Sequence, residues 1–180
     1  MARIVYYVAA SVDGFIADSA GGVDWLPDAE TGDSGYAAFY AGVEALVMGR
    51  RTYDQVLSFG KWPYPGKPAY VFTHSPPHDC PPEVQFVRGS AVDFGQDIAA
   101  RHSGTVWLVG GADLADQFRQ SDLIDEYQVF VIPTILGQGV ALFSGSGSHT
   151  LLDLDSAQTH VDGVLQLRYS PRNTGHRWRT

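Results

Sequence analysis

The chain has 180 residues, of which 44% are hydrophobic and 18% charged, and its formal net charge is −8. That composition belongs to a folded domain with a core of its own and excludes a largely disordered polypeptide. The acidic balance excludes a general binder of nucleic acid or of an anionic membrane, since both need a basic face.

Cys80 is the single cysteine, so no internal disulfide can form, which is compatible with a reducing compartment. Met1 to Ala10 is a short apolar run that reads into a polar loop and lacks a cleavage pattern, and no stretch approaches the length of a membrane span. The expectation is a cytoplasmic protein with one domain over residues 1–180. The run Arg172 to Arg179 is locally basic and reads as a frayed tail.

Ile4 to Ala10 is rich in β-branched and aromatic residues and predicts a buried strand. Asp13-Gly14 and Gly21-Gly22 bracket Phe15-Ile16-Ala17 in a loop with two turns, where Asp13 reads as a turn former. Tyr36, Phe39, Tyr40 and Val43 have helical spacing, so Ser34 to Val43 predicts an amphipathic helix capped by Ser34. Ala45 to Met48 predicts a strand and Thr52 to Ser58 the helix after it. Lys61 to Pro68 is a proline-rich loop, Ala69 to Thr73 a strand, His74 to Pro82 a second proline-rich loop, and Glu83 to Val87 a strand. Asp93 to Arg101 predicts a helix capped by Asp93, Thr105 to Val109 a strand, and Ala112 to Gln120 a helix. After that point Glu126 to Ile132, Leu151 to Leu154 and Val164 to Tyr169 read as strands with no helix between them. Ser144-Gly145-Ser146-Gly147-Ser148 reads as a flexible connection inside the domain. The alternation followed by consecutive strands predicts an α/β fold with a mixed, mainly parallel sheet and an antiparallel edge.

Two segments run from an apolar strand through glycine into a helix: Met48-Gly49-Arg50-Arg51-Thr52-Tyr53 and Val109-Gly110-Gly111-Ala112-Asp113-Leu114. A helix that starts this way presents free backbone N–H groups and the positive end of its dipole, which favour bound phosphate. Thr52 can cap its helix or donate its hydroxyl to a phosphate, and Arg50 and Arg51 can pair with phosphate oxygens. Each segment alone is also compatible with an ordinary surface turn. The pair points to a ligand with more than one phosphate, although no Gly-x-Gly-x-x-Gly fingerprint is present.

Several segments together resemble a known set. They are Ala9-Ala10-Ser11-Val12-Asp13-Gly14-Phe15-Ile16-Ala17, Val23-Asp24-Trp25-Leu26, the two glycine corners, Leu123-Ile124-Asp125-Glu126, and Ile132-Pro133-Thr134-Ile135-Leu136-Gly137-Gln138-Gly139. In this order and spacing, the chain from about Ile4 to Tyr169 resembles the dihydrofolate reductase-like superfamily. The resemblance is greatest to the branch containing the reductase domain of bacterial riboflavin biosynthesis. It implies a three-layer fold with helices on both faces of the sheet and NADPH as hydride donor. It implies that Arg50 contacts the adenosine 2′-phosphate and that Gly49, Arg51 and Thr52 lie at phosphates. Thr73, His74 and Ser75 would hold the adenine side. Gly110, Gly111, Ala112, Asp113 and Leu114 would hold the pyrophosphate, and Ala10 and Ile16 would border the nicotinamide. It further implies a cis peptide between Gly110 and Gly111, and a homodimer.

The substrate is expected to be a small heterocycle, pteridine-like or an aminopyrimidine, stacked near Tyr36 and Tyr40 with Trp25 and Tyr53 as further walls. Phe39 reads as ordinary core. Dihydrofolate reductases carry an acid in the first helix, and Ser34 to Val43 has none. Asp24, Asp28, Glu30 and Asp33 are nearby, with Asp24 the first choice for proton delivery and ordered water the alternative. Few basic residues are available for a phosphorylated substrate. No deaminase segment precedes residue 1, so a role in such a pathway would call for a separate enzyme. The rival reading is a non-catalytic NADPH-binding module of the same fold. His74, His78, Asp79 and Cys80 lie on a rigid Pro76-Pro77 loop without a second ligand cluster, so no metal is expected. Gly145-Ser146-Gly147 does not follow a strand, as a hydrolase nucleophile would.

Overall fold

The computed structural model of the chain describes residues 2–27, 35–145, 147 and 149–172. In chain order the elements are β1 (Arg3–Ser11), β2 (Phe15–Ala17), α1 (Tyr36–Ala41), β3 (Val43–Gly49), α2 (Arg50–Ser58), β4 (Ala69–Phe72) and β5 (Val84–Val87). There follow α3 (Ala91–Arg101), β6 (Thr105–Gly110), α4 (Ala112–Gln120), β7 (Glu126–Ile132), β8 (Val140–Ala141), β9 (Leu152–Thr159) and β10 (Leu165–Pro171).

Eight strands form one sheet in the order β5-β4-β3-β6-β1-β7-β10-β9, and β2 with β8 forms a separate two-stranded ribbon. The pairs from β5 through β7 are parallel, and β10 is antiparallel to both β7 and β9. The sheet is therefore mixed and mainly parallel, as expected, with the antiparallel strands at the C-terminal edge.

Side chains alternate across a strand, and the two faces carry different helices. Tyr6, Val47 and Leu108 pack with Phe94 and Ile98 of α3 and Ala115 and Phe118 of α4. Leu46, Met48 and Trp107 pack on the other face with Tyr53 and Val56 of α2 and Phe39 and Tyr40 of α1. A smaller cluster continues that second face, with Trp25 and Leu26 lying over Phe130, Ile132 and Val164. Asp116 anchors α4. Burial pushes its carboxyl up, but the Ser144 hydroxyl and the Arg119 guanidinium, hydrogen bonded to it, hold it net below the usual range.

Several helix starts differ from expectation. α1 spans Tyr36–Ala41 with Gly35 at its N-cap in the left-handed region, φ 70°, and Ser34 lies outside the described residues. Val43 opens β3 instead of closing α1, because its side chain is buried in the α1/α2 core. α2 starts at Arg50 with Gly49 as N-cap, so Thr52 sits inside the first turn and caps nothing. On α3, Ser90 rather than Asp93 is the cap. Its oxygen accepts from the Asp93 N–H at 3.1 Å while its hydroxyl donates to Asp93 Oδ2 at 2.8 Å. That reciprocal pair satisfies an end the extended Ser90 backbone leaves open.

β9 extends to Thr159, beyond the expected Leu154, because its backbone pairs with β10 throughout while most of its side chains face solvent. Residues 173–180, which hold most of the basic tail, and Ser146 and Ser148 of the Gly-Ser run lie outside the described residues. Arg172 pairs with Asp153 at 2.7 Å. No helix among the described residues is long and apolar enough to cross a membrane.

Candidate functional site

β3 and β6 are neighbouring parallel strands whose following helices leave toward opposite faces: α2 packs on one core and α4 on the other. In open α/β sheets this arrangement leaves a crevice at the carboxyl ends of the two strands, where ligands bind. Gly49 and Gly110 end the two strands, and Met48 is in register with Gly110. A Cβ built on Gly49 would lie 3.8 Å from the Gly110 carbonyl oxygen. The two glycine corners thus form one site.

Both helices start on glycine, Gly49 and Gly111, and neither receives a side-chain cap. α3, remote from the crevice, has its Ser90 cap. The first-turn N–H groups of α2 and α4 therefore have no intrahelical acceptor and face the crevice with the positive ends of their dipoles. The Gly110–Gly111 peptide is cis, as the resemblance implies. Gly110 has φ 138°, and a Cβ there would meet nothing within 4 Å, so the corner is open. The Thr52 hydroxyl lies 3.5 Å from where a Gly111 Cβ would sit and closes the gap between the helix starts. Ala112 and Leu114 are buried and offer only backbone groups. Asp113 is the exposed acid of the first turn of α4, so its N–H rather than its carboxylate suits an anion.

Arg50, Thr73 and Ser75 are brought together from α2 and the turn after β4. Arg50 Nε lies 2.8 and 2.9 Å from the two Asp54 carboxylate oxygens, and its Nη1 donates to the Ser75 carbonyl. The Ser75 N–H donates to Thr73 Oγ1 at 3.1 Å. Arg50 and Asp54 are both substantially exposed, and an i,i+4 pair of this kind contributes only about 0.3–0.5 kcal/mol. The guanidinium is therefore positioned by its neighbours but available to a stronger anion. Arg51, next to Arg50 in the first turn of α2, and His74, between Thr73 and Ser75 in the chain, are exposed.

The turn after β1 is tied to a distant loop. Asp13 Oδ1 accepts the Ser11 hydroxyl at 2.7 Å and the Leu136 N–H at 3.1 Å, and Oδ2 accepts the Gly137 N–H at 2.7 Å. The Ser11 hydroxyl and these backbone donors hold the Asp13 carboxyl below its ordinary value. Asp13 is thus a clamp between two loops, more than the local turn former its sequence suggests. The clamp aligns the β2/β8 ribbon beside β1. Ala10 is buried near the end of β1, and Ile16 of β2 packs half-buried on the core.

On the α1 face, Tyr7 of β1 stacks on Phe39 with centroids 4.1 Å apart, and Tyr36 stacks on Tyr40 at 5.8 Å. Trp107 Nε1 donates to the Tyr7 carbonyl at 3.0 Å. Phe39 is core, as expected. Tyr36 is 37% exposed and presents a ring to the open side. Tyr40 is half-buried, with the Lys67 ammonium 4.6 Å over its ring. Tyr53 is a correction: its ring is 0% exposed, wedged against Trp62 and Phe86, and offers no wall to a ligand. Burial raises its phenol pKa, and its hydroxyl has no partner among the described residues. Trp25 is half-buried over Phe130, with its Nε1 likewise unpartnered among the described residues. Asp24 beside it is exposed, while Asp28, Glu30 and Asp33 lie outside the described residues. Tyr7 was not singled out from sequence because strand aromatics are ordinary core; only its contact with Tyr36 marks it. No group of three or more His, Cys, Asp or Glu among the described residues is placed to hold a metal ion.

Known proteins resemble this chain in sequence or in fold. YwjB of Bacillus subtilis, an uncharacterized protein, is 37% identical over 169 residues, 93% of this chain and 97% of its own length. The crystal structure of a Shewanella sp. PV-4 protein assigned to riboflavin biosynthesis superposes with a TM-score of 0.84 at 34% identity, covering 96% of this chain and 99% of that one. The diaminohydroxyphosphoribosylaminopyrimidine deaminase/5-amino-6-(5-phosphoribosylamino)uracil reductase of Thermotoga maritima superposes at 0.72 with 19% identity, over 94% of this chain and 56% of that one, a likeness of fold. Residues 2–166 match the RibD C-terminal domain family, and with its crevice between β3 and β6 the chain belongs to that reductase-like family.

Proposed function

We propose that the protein is an NADPH-dependent reductase of a small heterocycle. The observation that carries this reading is the pair of uncapped, glycine-started helices on either side of one crevice, with Arg50, Thr73 and Ser75 at its flank. Phosphates fit there: open N–H groups, a glycine corner free of side chains, and an arginine held by an exposed carboxylate and one backbone carbonyl.

When bound, the dinucleotide supplies a hydride from its nicotinamide ring. The chain's own residues position it. The first turns of α2 and α4 hold the phosphates, with Gly49 and Gly111 permitting close approach and Thr52 adding a hydroxyl. Arg50 pairs with the additional phosphate that distinguishes NADPH from NADH. Ala10 and Ile16 border the ring, and Trp25, Tyr36 and Tyr40 wall the substrate side. Asp24, beside Trp25, is the carboxylate to which we assign proton delivery. The second reading, a binding module without turnover, is favoured by one observation: α1 carries no acid.

Titrating NADPH fluorescence tests binding, and following NADPH absorbance against dihydrofolate, aminopyrimidine and flavin-like substrates tests turnover. Binding with consumption supports the reductase. Binding without consumption across the panel supports the module, and no binding removes both. A homodimer through the open faces of β9 and β10 belongs to the same proposal, and light scattering on the purified chain reads it.

A further inference from the structure

The strand beside the turn after β4 ends in a cation that the site described above does not use. β5 is the outer parallel neighbour of β4, with Phe72 in register with Val87, and the Thr73 N–H donates to the Val87 carbonyl at 3.1 Å. Arg88 is the next residue, so it stands beside Thr73 at one strand spacing, about 4.8 Å. Side chains alternate across a strand. Val84 and Phe86 of β5 pack into the α1/α2 core, as Ala69 and Val71 of β4 do, and the same alternation puts Thr73 and Arg88 on the face that α2 covers. Arg50, at the start of α2, meets this turn at the Ser75 carbonyl, and Arg88 adjoins it at Thr73.

Arg88 is exposed and makes no hydrogen bond or ion pair among the described residues. Arg3, Arg101, Arg119, Arg168 and Arg172, by contrast, are each engaged by a carboxylate. The acids of the adjoining elements are committed elsewhere. Asp93 accepts the Ser90 hydroxyl at 2.8 Å on α3, which packs on the opposite face of the sheet, and Glu83, before the start of β5, accepts the Gly66 N–H at 3.0 Å. In a chain of net charge −8, this corner gathers Arg50, Arg51 and Arg88.

We infer that Arg88 is a second binding residue for the phosphate that distinguishes NADPH from NADH, and that it acts with Arg50 as a two-guanidinium clamp. The inference rests on the reductase reading for the identity of the ligand and adds the determinant of its dinucleotide preference. A phosphate monoester carries about −1.5 to −2 charges at neutral pH and three strong acceptor oxygens, more than one guanidinium neutralises. Arg50 also shares its charge with Asp54. Arg88, one strand away on the same face and without a partner among the described residues, supplies the balance with no rearrangement of the fold.

The test is titration calorimetry of the full chain with two matched pairs that differ only in the 2′-phosphate: NADPH with NADH, and adenosine 2′,5′-bisphosphate with adenosine 5′-phosphate. R88A is expected to weaken NADPH and the bisphosphate roughly tenfold, while NADH, adenosine 5′-phosphate and the melting temperature stay unchanged. R88K should fall between wild type and R88A, because an ammonium keeps the charge and loses the bidentate fork. R101A, which removes an exposed arginine from the last turn of α3, should change none of the four affinities. Unchanged NADPH affinity in R88A overturns the inference, as does an equal loss for NADH, which would assign Arg88 to the adenine ring instead. A wild-type chain that binds neither dinucleotide removes the reductase reading and the inference together. An NADPH preference that survives in full in R88A removes the inference alone.

Discussion

Gly49 and Gly110 stand side by side at the ends of adjacent parallel strands, so close that a methyl on one would touch the carbonyl oxygen of the other at 3.8 Å. That distance is ordinary van der Waals contact, and Gly49 has φ −79°, which any residue adopts. Gly49→Ala should therefore fold, losing less than about 1.5 kcal/mol from the poorer N-cap. The added methyl enters the space through which a phosphate would approach the α2 N–H groups. We expect NADPH affinity to fall while thermal unfolding changes little. Unchanged affinity in a fluorescence titration would remove Gly49 from the site.

Arg50→Ala separates the two dinucleotides. A charge-assisted hydrogen bond to a phosphate contributes about 1.5–3 kcal/mol, so NADPH affinity should fall roughly ten- to hundredfold. NADH, which lacks that phosphate, should bind the variant and the wild type alike. A loss of equal size for both would assign Arg50 a general structural role through Asp54 and Ser75 instead.

The Asp13 clamp makes an acid-sensitive contribution. Its carboxyl is held below the ordinary 3.8 by the Ser11 hydroxyl and the Gly137 and Leu136 N–H groups. A folded value below the unfolded one stabilises the protein above the unfolded value, and that stabilisation is lost as pH falls through the folded value. Asp13→Asn should be less stable than wild type at neutral pH. The two melting curves should converge as pH is taken down through 3.8 and below. Parallel curves across that range would show that the clamp does not depend on the charge.

Tyr53→Phe distinguishes core from pocket. The phenol oxygen is buried without a partner among the described residues, an arrangement that costs free energy. Its removal should leave stability unchanged or raise it by up to about 1 kcal/mol. Ring-binding affinity should not move. A drop in substrate affinity with an intact melting temperature would return Tyr53 to the substrate wall.

Much of the fold was legible because its cause is local. Ala112–Gln120 and Glu126–Ile132 match their expected bounds, since each has a clear period and a clear stop. The helix caps were less legible. Ser90, Gly49 and Gly35 are caps because of where their backbones turn, and a nearby Asp93, Thr52 or Ser34 offers an equally good side chain in the sequence. β8 was missed because two exposed residues have no period, and they form a strand only by pairing with Phe15 and Ala17. The aromatic residues of the site divide in the same way. Nothing in a string of letters tells a buried Tyr53 from a half-open Tyr36.

Residue order alone was enough for the alternation of strand and helix, the two glycine corners and the family likeness, because backbone propensity and hydrophobic period act over a few neighbouring residues. The crevice itself came from the folded chain. β6 inserts between β3 and β1, so that helices α2 and α4 part toward opposite faces. Strand order is settled by long-range packing of whole faces against one another, a sum over contacts far apart in the chain, and no local pattern carries it.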